Sequence, residues 1–153
     1  MTNYLLDTNH LIRLLRGDDL ILTKLEEGIL RGDHICISAF AYYETRRGYL
    51  AADRPEKLPE FDAQCDRFPI IFLVSRSALD IASKIYGDLY RTGEMIQDAD
   101  ILIASSALEL GYTVCTTDES DYRRIPTVQT ENWATPGPDA LAPTGHSVSE
   151  AGP

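Results

Sequence analysis

Short apolar segments rich in β-branched residues alternate along this chain with longer segments whose apolar residues recur at helical spacing. Residues 4–6, 34–37, 69–74 and 112–117 are predicted strands, and 127–129 is a candidate fifth strand. Strands that alternate with helices are joined by crossover connections, which require a parallel sheet that is covered on both faces. The pattern therefore predicts an α/β protein with three layers and a central parallel sheet of four to five strands.

The helices are predicted from apolar periodicity, capping residues and breakers. They begin at Thr8 or Asn9, at Asp18–Asp19, after Ser38, at Glu60, at Ser75 or Ser77, and at Asp98. Glycines end several of them, and Gly111 is expected to end the last, which carries a long apolar stripe. At the start of that last helix, Asp98 is expected to be the capping residue.

The last stretch of the chain differs in composition from the rest. Residues 135–153 hold four of the eight prolines and three of the ten glycines, and they contain no lysine or arginine. We therefore predict one folded domain at 1–134 and a disordered tail at 135–153. The formal charge of −10 excludes a surface that is basic throughout, so any nucleic acid must contact a local basic region or a cation.

The three cysteines are scattered along the chain and form no CxxC pair. Reduced, buried thiols are therefore expected, rather than a disulfide framework or a zinc ribbon. Neither a secretory signal nor an apolar run of about 20 residues is visible, so a cytoplasmic protein without a membrane span is expected.

The acidic residues fall at positions that a parallel sheet would bring together. Asp7 and Asp118 follow strands, Glu44 lies two turns into a helix, and Asp100 lies in the first turn of another. The carboxyl ends of parallel strands and the beginnings of helices meet at one edge of an open α/β sheet. We therefore expect these four carboxylates to be neighbours, with Asp98 and Asp121 as further candidates. Asp118 is favoured over Asp121 because it is nearer to the strand end.

Clustered carboxylates need a counter-charge. Two of them about 4 Å apart repel by about 4 kcal/mol at an effective dielectric near 20. Mg²⁺ or Mn²⁺ fits an all-oxygen ligand set, whereas zinc prefers histidine or cysteine. His10, His34 and His146 are expected to be structural or solvent-facing rather than ligands.

A metal ion held by carboxylates is suited to phosphoryl chemistry, because it lowers the pKa of a bound water and neutralises the leaving oxygen. Asn9 is a candidate for orienting the scissile phosphate. Thr116 or Thr117 is a candidate for holding a ligating carboxylate by a hydrogen bond. Arg46, Arg47, Arg123 and Arg124 form either a basic rim for RNA phosphates or an ordinary solvated surface. Tyr42, Tyr43 and Tyr49 either stack an unpaired base or, as is commoner for helical aromatics, pack in the core or in a dimer interface.

Four segments together resemble the PIN-domain ribonucleases, and among them the VapC-type toxins of toxin–antitoxin pairs. They are LLDTNHLI, AYYETRRG, DADILIASSALELGYTVCTTD and DESDY, and the likeness covers about residues 3–130. The family's Asp-Thr-Asn is Asp7-Thr8-Asn9, and its helical glutamate is Glu44, followed by Arg46 or Arg47 and Gly48. Its helix-start aspartate is Asp100, and its closing segment is 116–122.

The resemblance implies an endoribonuclease that depends on Mg²⁺ or Mn²⁺ and has a PIN-like α/β/α fold. Asp7, Glu44, Asp100 and Asp118 would be catalytic and hold the metal. Asn9, Thr116, Arg46 and Arg47 would position the substrate. It also implies a homodimer that a small cognate antitoxin inhibits and that contacts DNA only through that antitoxin.

Two other functional classes share part of this pattern. A haloacid-dehalogenase-like phosphatase also begins with an aspartate after its first strand, but it would require a second aspartate where this chain has Asn9. A PIN-like interaction protein without catalysis is the non-enzyme alternative. The set of acids disfavours it, because a pure binding surface gains nothing from clustered like charges.

Overall fold

Five strands in parallel pairing form the centre of the structure. The computed structural model describes residues 1–71 and 75–136. The strands are β1 (Asn3–Leu6), β2 (His34–Ser38), β3 (Ile70–Ile71), β4 (Thr113–Cys115) and β5 (Thr130–Glu131). The α-helices are α1 (Thr8–Leu15), α2 (Asp19–Arg31), α3 (Ala39–Ala51), α4 (Leu58–Cys65), α5 (Arg76–Thr92), α6 (Asp98–Leu110) and the one-turn α7 (Glu119–Tyr122).

The strand order is β3-β2-β1-β4-β5, and every neighbouring pair is parallel. The chain leaves β1 toward β2 on one side, and after β3 it crosses back to β4 on the other side of β1. The gap between the carboxyl ends of β1 and β4 is therefore a topological switch point, the place where open α/β sheets usually bind their ligands.

Alternate residues of the strands build two separate cores. Tyr4 and Leu6 of β1 pack with α1–α4 on one face, and Leu5 packs with α5 and α6 on the other. The same alternation separates Ile37 from Cys36 in β2. Side chains of successive strand residues point to opposite faces, so both faces of this sheet are covered. The predicted three-layer α/β/α arrangement is confirmed.

Most of the predicted elements are present. Asp18, Ser38 and Ser75 cap α2, α3 and α5 through their side-chain oxygens, as expected. Helix α6 has the predicted bounds, but the prediction that Asp98 caps it is wrong. The extended residue before the helix is Gln97, which makes no side-chain cap hydrogen bond, and Asp98 already lies inside the first turn.

Other boundaries differ from the prediction for local reasons. Helix α4 was expected to begin at Glu60, but it begins two residues earlier, at Leu58, because Pro59 is accommodated in a first helical turn. The fifth strand was expected at 127–129 and lies at Thr130–Glu131. There, Val128 N–H donates to the Ile125 carbonyl at 3.1 Å, so a turn occupies the segment that looked β-rich. Helix α7 was not predicted.

Two predicted segments extend beyond the described residues. Residues 72–74 of the predicted third strand and residues 137–153 of the predicted tail lie outside the described ranges. All three cysteines are free and buried, as expected. Within the described ranges, no helix has both the length and the apolar character needed to cross a membrane.

Candidate active site

The switch point between β1 and β4 holds the first of the acidic residues. Leu6 pairs with Cys115 in the sheet, and the next residue, Asp7, donates its backbone N–H to the Cys115 carbonyl at 3.0 Å. Asp7 is at once the last residue before α1 and its N-cap. Because the chain passes from strand β1 to helix α1 at this residue, the Asp7 carboxylate is held at the edge of the sheet.

The Asp7 carboxylate is buried, with a residue exposure of 2%. One oxygen accepts the Thr8 backbone N–H at 2.6 Å, and the other accepts the Thr116 hydroxyl at 2.8 Å. Burial raises the pKa of Asp7, both of these hydrogen bonds oppose the rise, and the charge of Glu44 adds to it. Of the two candidates Thr116 and Thr117, it is therefore Thr116 that donates a hydrogen bond to the Asp7 carboxylate.

Glu44 reaches the same region from α3. Its Oε1 accepts the Thr8 hydroxyl at 3.0 Å, and its Oε2 lies 3.7 Å from the Arg47 guanidinium. Thr8 thus links the first acid to the second, because its backbone contacts Asp7 and its hydroxyl contacts Glu44. This residue was not singled out from the sequence, although it lies inside the Asp-Thr-Asn segment.

Asp100 lies in the first turn of α6, and its carboxyl group is affected by the other acids. Its pKa is raised from 3.8 to about 7. Burial is the largest cause, and four carboxylates add to it. In decreasing order of effect they are Asp7, Glu44, Asp118 and Asp121. Side chains from three other parts of the chain, at Asp7, at Glu44 and at Asp118 with Asp121, therefore act on the Asp100 carboxyl group.

Asp118 and Asp121 differ in their surroundings. The Asp118 backbone N–H donates to the Thr116 hydroxyl at 2.9 Å, so the same threonine orders Asp7 and the loop that carries Asp118. Asp121 lies 3.8 Å from the Arg124 guanidinium, which offsets part of its charge. Asp98 is exposed and is not among the groups that raise the Asp100 pKa.

The two arginines considered for the substrate point in different directions. Arg47 lies one helical turn after Glu44 and forms the ion pair with it. The Arg46 guanidinium instead donates to Asp62 of α4 at 2.8 Å, away from the acids. Asn9 is half-buried in the first turn of α1, two residues after Asp7.

The three tyrosines of α3 also differ in their surroundings. Tyr42 and Tyr49 pack against Phe61, with ring centroids 5.1 and 5.9 Å apart, so they belong to the core. Tyr43 is 59% exposed, and the Arg47 guanidinium lies 5.1 Å from its ring centroid. Tyr43 therefore presents an aromatic surface one residue before Glu44.

The described histidines lie outside the acidic cluster. His10 is fully buried, and its Nε2 accepts the Trp133 backbone N–H at 3.0 Å. Burial lowers the pKa of His10 to about 4, so the ring is neutral and structural. His34 contacts the Tyr112 hydroxyl at 3.2 Å at the opposite end of the sheet, and His146 lies outside the described residues.

The donor set fits a hard divalent cation. It consists of carboxylates, the ligands that Mg²⁺ and Mn²⁺ prefer, and after burial the charges of the neighbouring carboxylates add to the rise in the pKa of Asp100. In addition, the hydroxyl of Tyr122 is buried without a hydrogen-bond partner among the described residues. In this arrangement, no three Asp, Glu, His or Cys side chains within residues 1–71 and 75–136 are close enough together to ligate one ion.

Comparison with known proteins identifies the domain. The family model described as the PIN domain matches residues 4–128. This chain belongs to the PIN-domain family. The matched range of the PIN domain contains every acidic residue of the site, together with Asn9, Thr116 and both arginines.

Individual relatives cover nearly the same range. Ribonuclease VapC1 of Haemophilus influenzae is 24% identical over 131 residues, which are 85% of this chain and 97% of that protein. Ribonuclease VapC2 of Rickettsia felis is 28% identical over 138 residues, with the same two coverages. The crystal structure of VapBC2 from Rickettsia felis bound to promoter DNA matches with a TM-score of 0.77 and 25% identity. That match covers 86% of this chain and 99% of the solved chain.

Proposed function

We propose that this PIN domain is an endoribonuclease that depends on a divalent metal ion, Mg²⁺ or Mn²⁺, and that it is the toxin of a toxin–antitoxin pair. The observation that carries the proposal is the convergence of the acids, because Thr8 contacts both Asp7 and Glu44 and Thr116 contacts both Asp7 and the backbone of Asp118. Burial, followed by the charges of four carboxylates, raises the pKa of Asp100 to about 7. Such an arrangement has a high electrostatic cost unless a cation binds. The two relatives described above each match 85% of this chain and are named ribonucleases.

In this proposal Asp7, Glu44, Asp100 and Asp118 hold the cation. When bound, the ion would supply a water of lowered pKa and would neutralise charge on the phosphodiester. The residues around the acids keep them in place. The Thr116 hydroxyl holds Asp7, and the Thr8 hydroxyl holds Glu44. Their hydrogen bonds fix the direction of each carboxylate, which is the usual role of groups just behind metal ligands.

The substrate would approach from the side of α3. Arg47 and Asn9 lie next to Glu44 and Asp7, respectively, and we assign them the phosphate of the RNA backbone. Thr116 acts on the substrate indirectly, through Asp7. Arg46, which pairs with Asp62, would contact RNA only by exchanging that partner. RNA is the proposed substrate, and the cytoplasm is the proposed location.

A groove beside the site suits a protein partner. A cavity of about 490 Å³ lies between α1, α3 and α4, and Glu44 lines one end of it. Apolar residues such as Ile12 and Phe61 form part of its wall, and Arg54 and Lys57 lie along it. We propose that a segment of the antitoxin occupies this groove and blocks access to the acids, that any contact with DNA is made through the antitoxin, and that the toxin is a homodimer.

The decisive experiment is RNA cleavage by the purified protein with Mg²⁺, Mn²⁺ or EDTA. The wild type should cleave in either metal and be inactive in EDTA, and Asp7→Asn and Asp100→Asn should be folded and inactive. Asp98→Asn is the matched control, because it removes an exposed carboxylate from the same helical turn as Asp100. It should cleave like the wild type. Cleavage by folded Asp7→Asn or Asp100→Asn would contradict the proposed site, and an inactive wild type that still binds an antitoxin would indicate the interaction protein instead.

A further inference from the structure

The hydroxyl of Tyr122 lies beside the acidic cluster, and the nuclease proposal gives this hydroxyl no role. The residue closes α7 and is 1% exposed, and its ring packs with Ile101 and Val114 in the α5–α6 core. Its hydroxyl is also buried and finds no hydrogen-bond partner within residues 1–71 and 75–136. A phenylalanine would fill the same apolar space without burying an unpaired hydroxyl, which is an unfavourable group to leave unsatisfied.

The surroundings of this hydroxyl are acidic. Burial is the largest cause that raises the pKa of Tyr122 well above its ordinary value, and the charges of Asp7, Asp100 and Glu44 add to it. The charged groups around the hydroxyl are therefore carboxylates. The hydroxyl approaches Asp7 without reaching hydrogen-bond geometry.

Asp7 has room for one more donor. Each of its oxygens accepts one hydrogen bond, from the Thr8 backbone and from the Thr116 hydroxyl. A carboxylate offers about four acceptor positions, so a metal ion and a third donor can both be accommodated. Among the described residues, the hydroxyl of Tyr122 is a buried donor that lies beside this carboxylate and has no other partner.

We propose that Tyr122 is a positioning residue for the cation. Its hydroxyl donates to Asp7 when the carboxylates close around a divalent ion, and it thereby holds Asp7 in the orientation that ligates. This inference rests on the proposed metal dependence, and it assigns a role to a residue outside the set of acids. Tyr122 acts through Asp7 and contacts neither the RNA nor the reacting atoms.

The test is Mn²⁺ binding by the full-length Tyr122→Phe variant, measured by calorimetry and by the electron paramagnetic resonance signal of free Mn²⁺. Loss of a group that orients a metal ligand typically weakens binding 10- to 100-fold, and we expect a loss of about that size. The matched control is Tyr112→Phe, whose hydroxyl contacts His34 away from the acids. It should bind Mn²⁺ as tightly as the wild type. In EDTA, the urea midpoint of Tyr122→Phe should equal or exceed that of the wild type, because no metal-free hydrogen bond is lost.

The outcomes separate this inference from the nuclease proposal. The RNA cleavage that Tyr122→Phe loses at low Mn²⁺ should return at saturating Mn²⁺ if the hydroxyl serves binding of the ion. Equal Mn²⁺ affinities of Tyr122→Phe and wild type would overturn the role of Tyr122 and leave the proposed function standing. A marked loss of stability of the variant in EDTA would also overturn it, because the hydroxyl would then serve the metal-free fold. A wild type that binds no Mn²⁺ would overturn both proposals.

Discussion

Replacement of Asp100 by asparagine tests the electrostatic description of the site most directly. In the folded protein the pKa of Asp100 is about 7, against 3.8 for the isolated carboxyl. Between these two values the folded chain holds a proton that the unfolded chain has lost. Raising the pH through this window therefore weakens the fold, and the full cost is present above pH 7. Asparagine removes this cost because it never carries the charge.

The size of the effect follows from the pKa. The rise to about 7 corresponds to roughly 4 kcal/mol at about 1.4 kcal/mol for each tenfold change in proton affinity. The side chain is only half-buried, so solvent screening reduces this figure, and we expect a gain of about 2–4 kcal/mol at pH 8.5. At pH 5.5 the gain should be roughly half as large, because less of the window has been crossed.

The assay is urea unfolding of wild type and Asp100→Asn at pH 5.5, 7.0 and 8.5 in EDTA. His10 acts in the opposite direction, since its folded pKa of about 4 makes the fold more stable as the pH rises toward 6.5. Both proteins share this contribution, so the difference between them isolates Asp100. The control Asp98→Asn loses a charge in the same first turn of α6 and should change the stability by only a few tenths of a kcal/mol.

Addition of Mn²⁺ should reverse the order of the two proteins. The wild type would be stabilised by the bound ion, and Asp100→Asn would gain little because it has lost a ligand. A variant that is no more stable than the wild type at pH 8.5 in EDTA, or whose advantage does not change with pH, would refute the convergence of charges on Asp100.

Three further predictions concern the surroundings of the acids. Thr116→Val removes two hydrogen bonds, of 2.8 and 2.9 Å, and should cost about 1–3 kcal/mol in urea unfolding; unchanged stability would contradict the role of the hydroxyl. Tyr43→Leu should weaken binding of short single-stranded RNA in EDTA by about 5- to 100-fold, as expected for a lost base stack. The similarly exposed Tyr90→Leu should have no such effect, and equal affinities of the two variants would refute the stacking surface. The His10 ring should remain neutral down to about pH 4 in an NMR titration, and protonation near pH 6.5 would show that its burial is incomplete.

Much of the fold was predictable because it depends on neighbours in sequence. Helix α6 was predicted with its correct bounds from a long apolar stripe and the glycine at position 111, which adopts a positive φ of 69°. The caps Asp18, Ser38 and Ser75 were predictable for the same reason, since a side chain that caps a helix bonds to a backbone two or three residues away. Where two local signals competed, as at Pro59 and at 127–129, the boundary was misplaced.

The acids were predictable as a group because parallel strands end at a common edge, whatever the side chains beyond them do. The sequence by itself therefore determined most of the elements, the parallel pairing of the strands and the edge of the sheet near which Asp7, Glu44, Asp100 and Asp118 lie. Only the tertiary structure decided which other side chains contact these acids. Contacts between distant segments depend on strand order and on the rotation of each helix about its axis. The rotation of α3 turns Arg46 toward Asp62 of α4, and the packing of α7 leaves the hydroxyl of Tyr122 among the carboxylates. No local pattern could reveal either contact, because each joins segments that are distant in sequence.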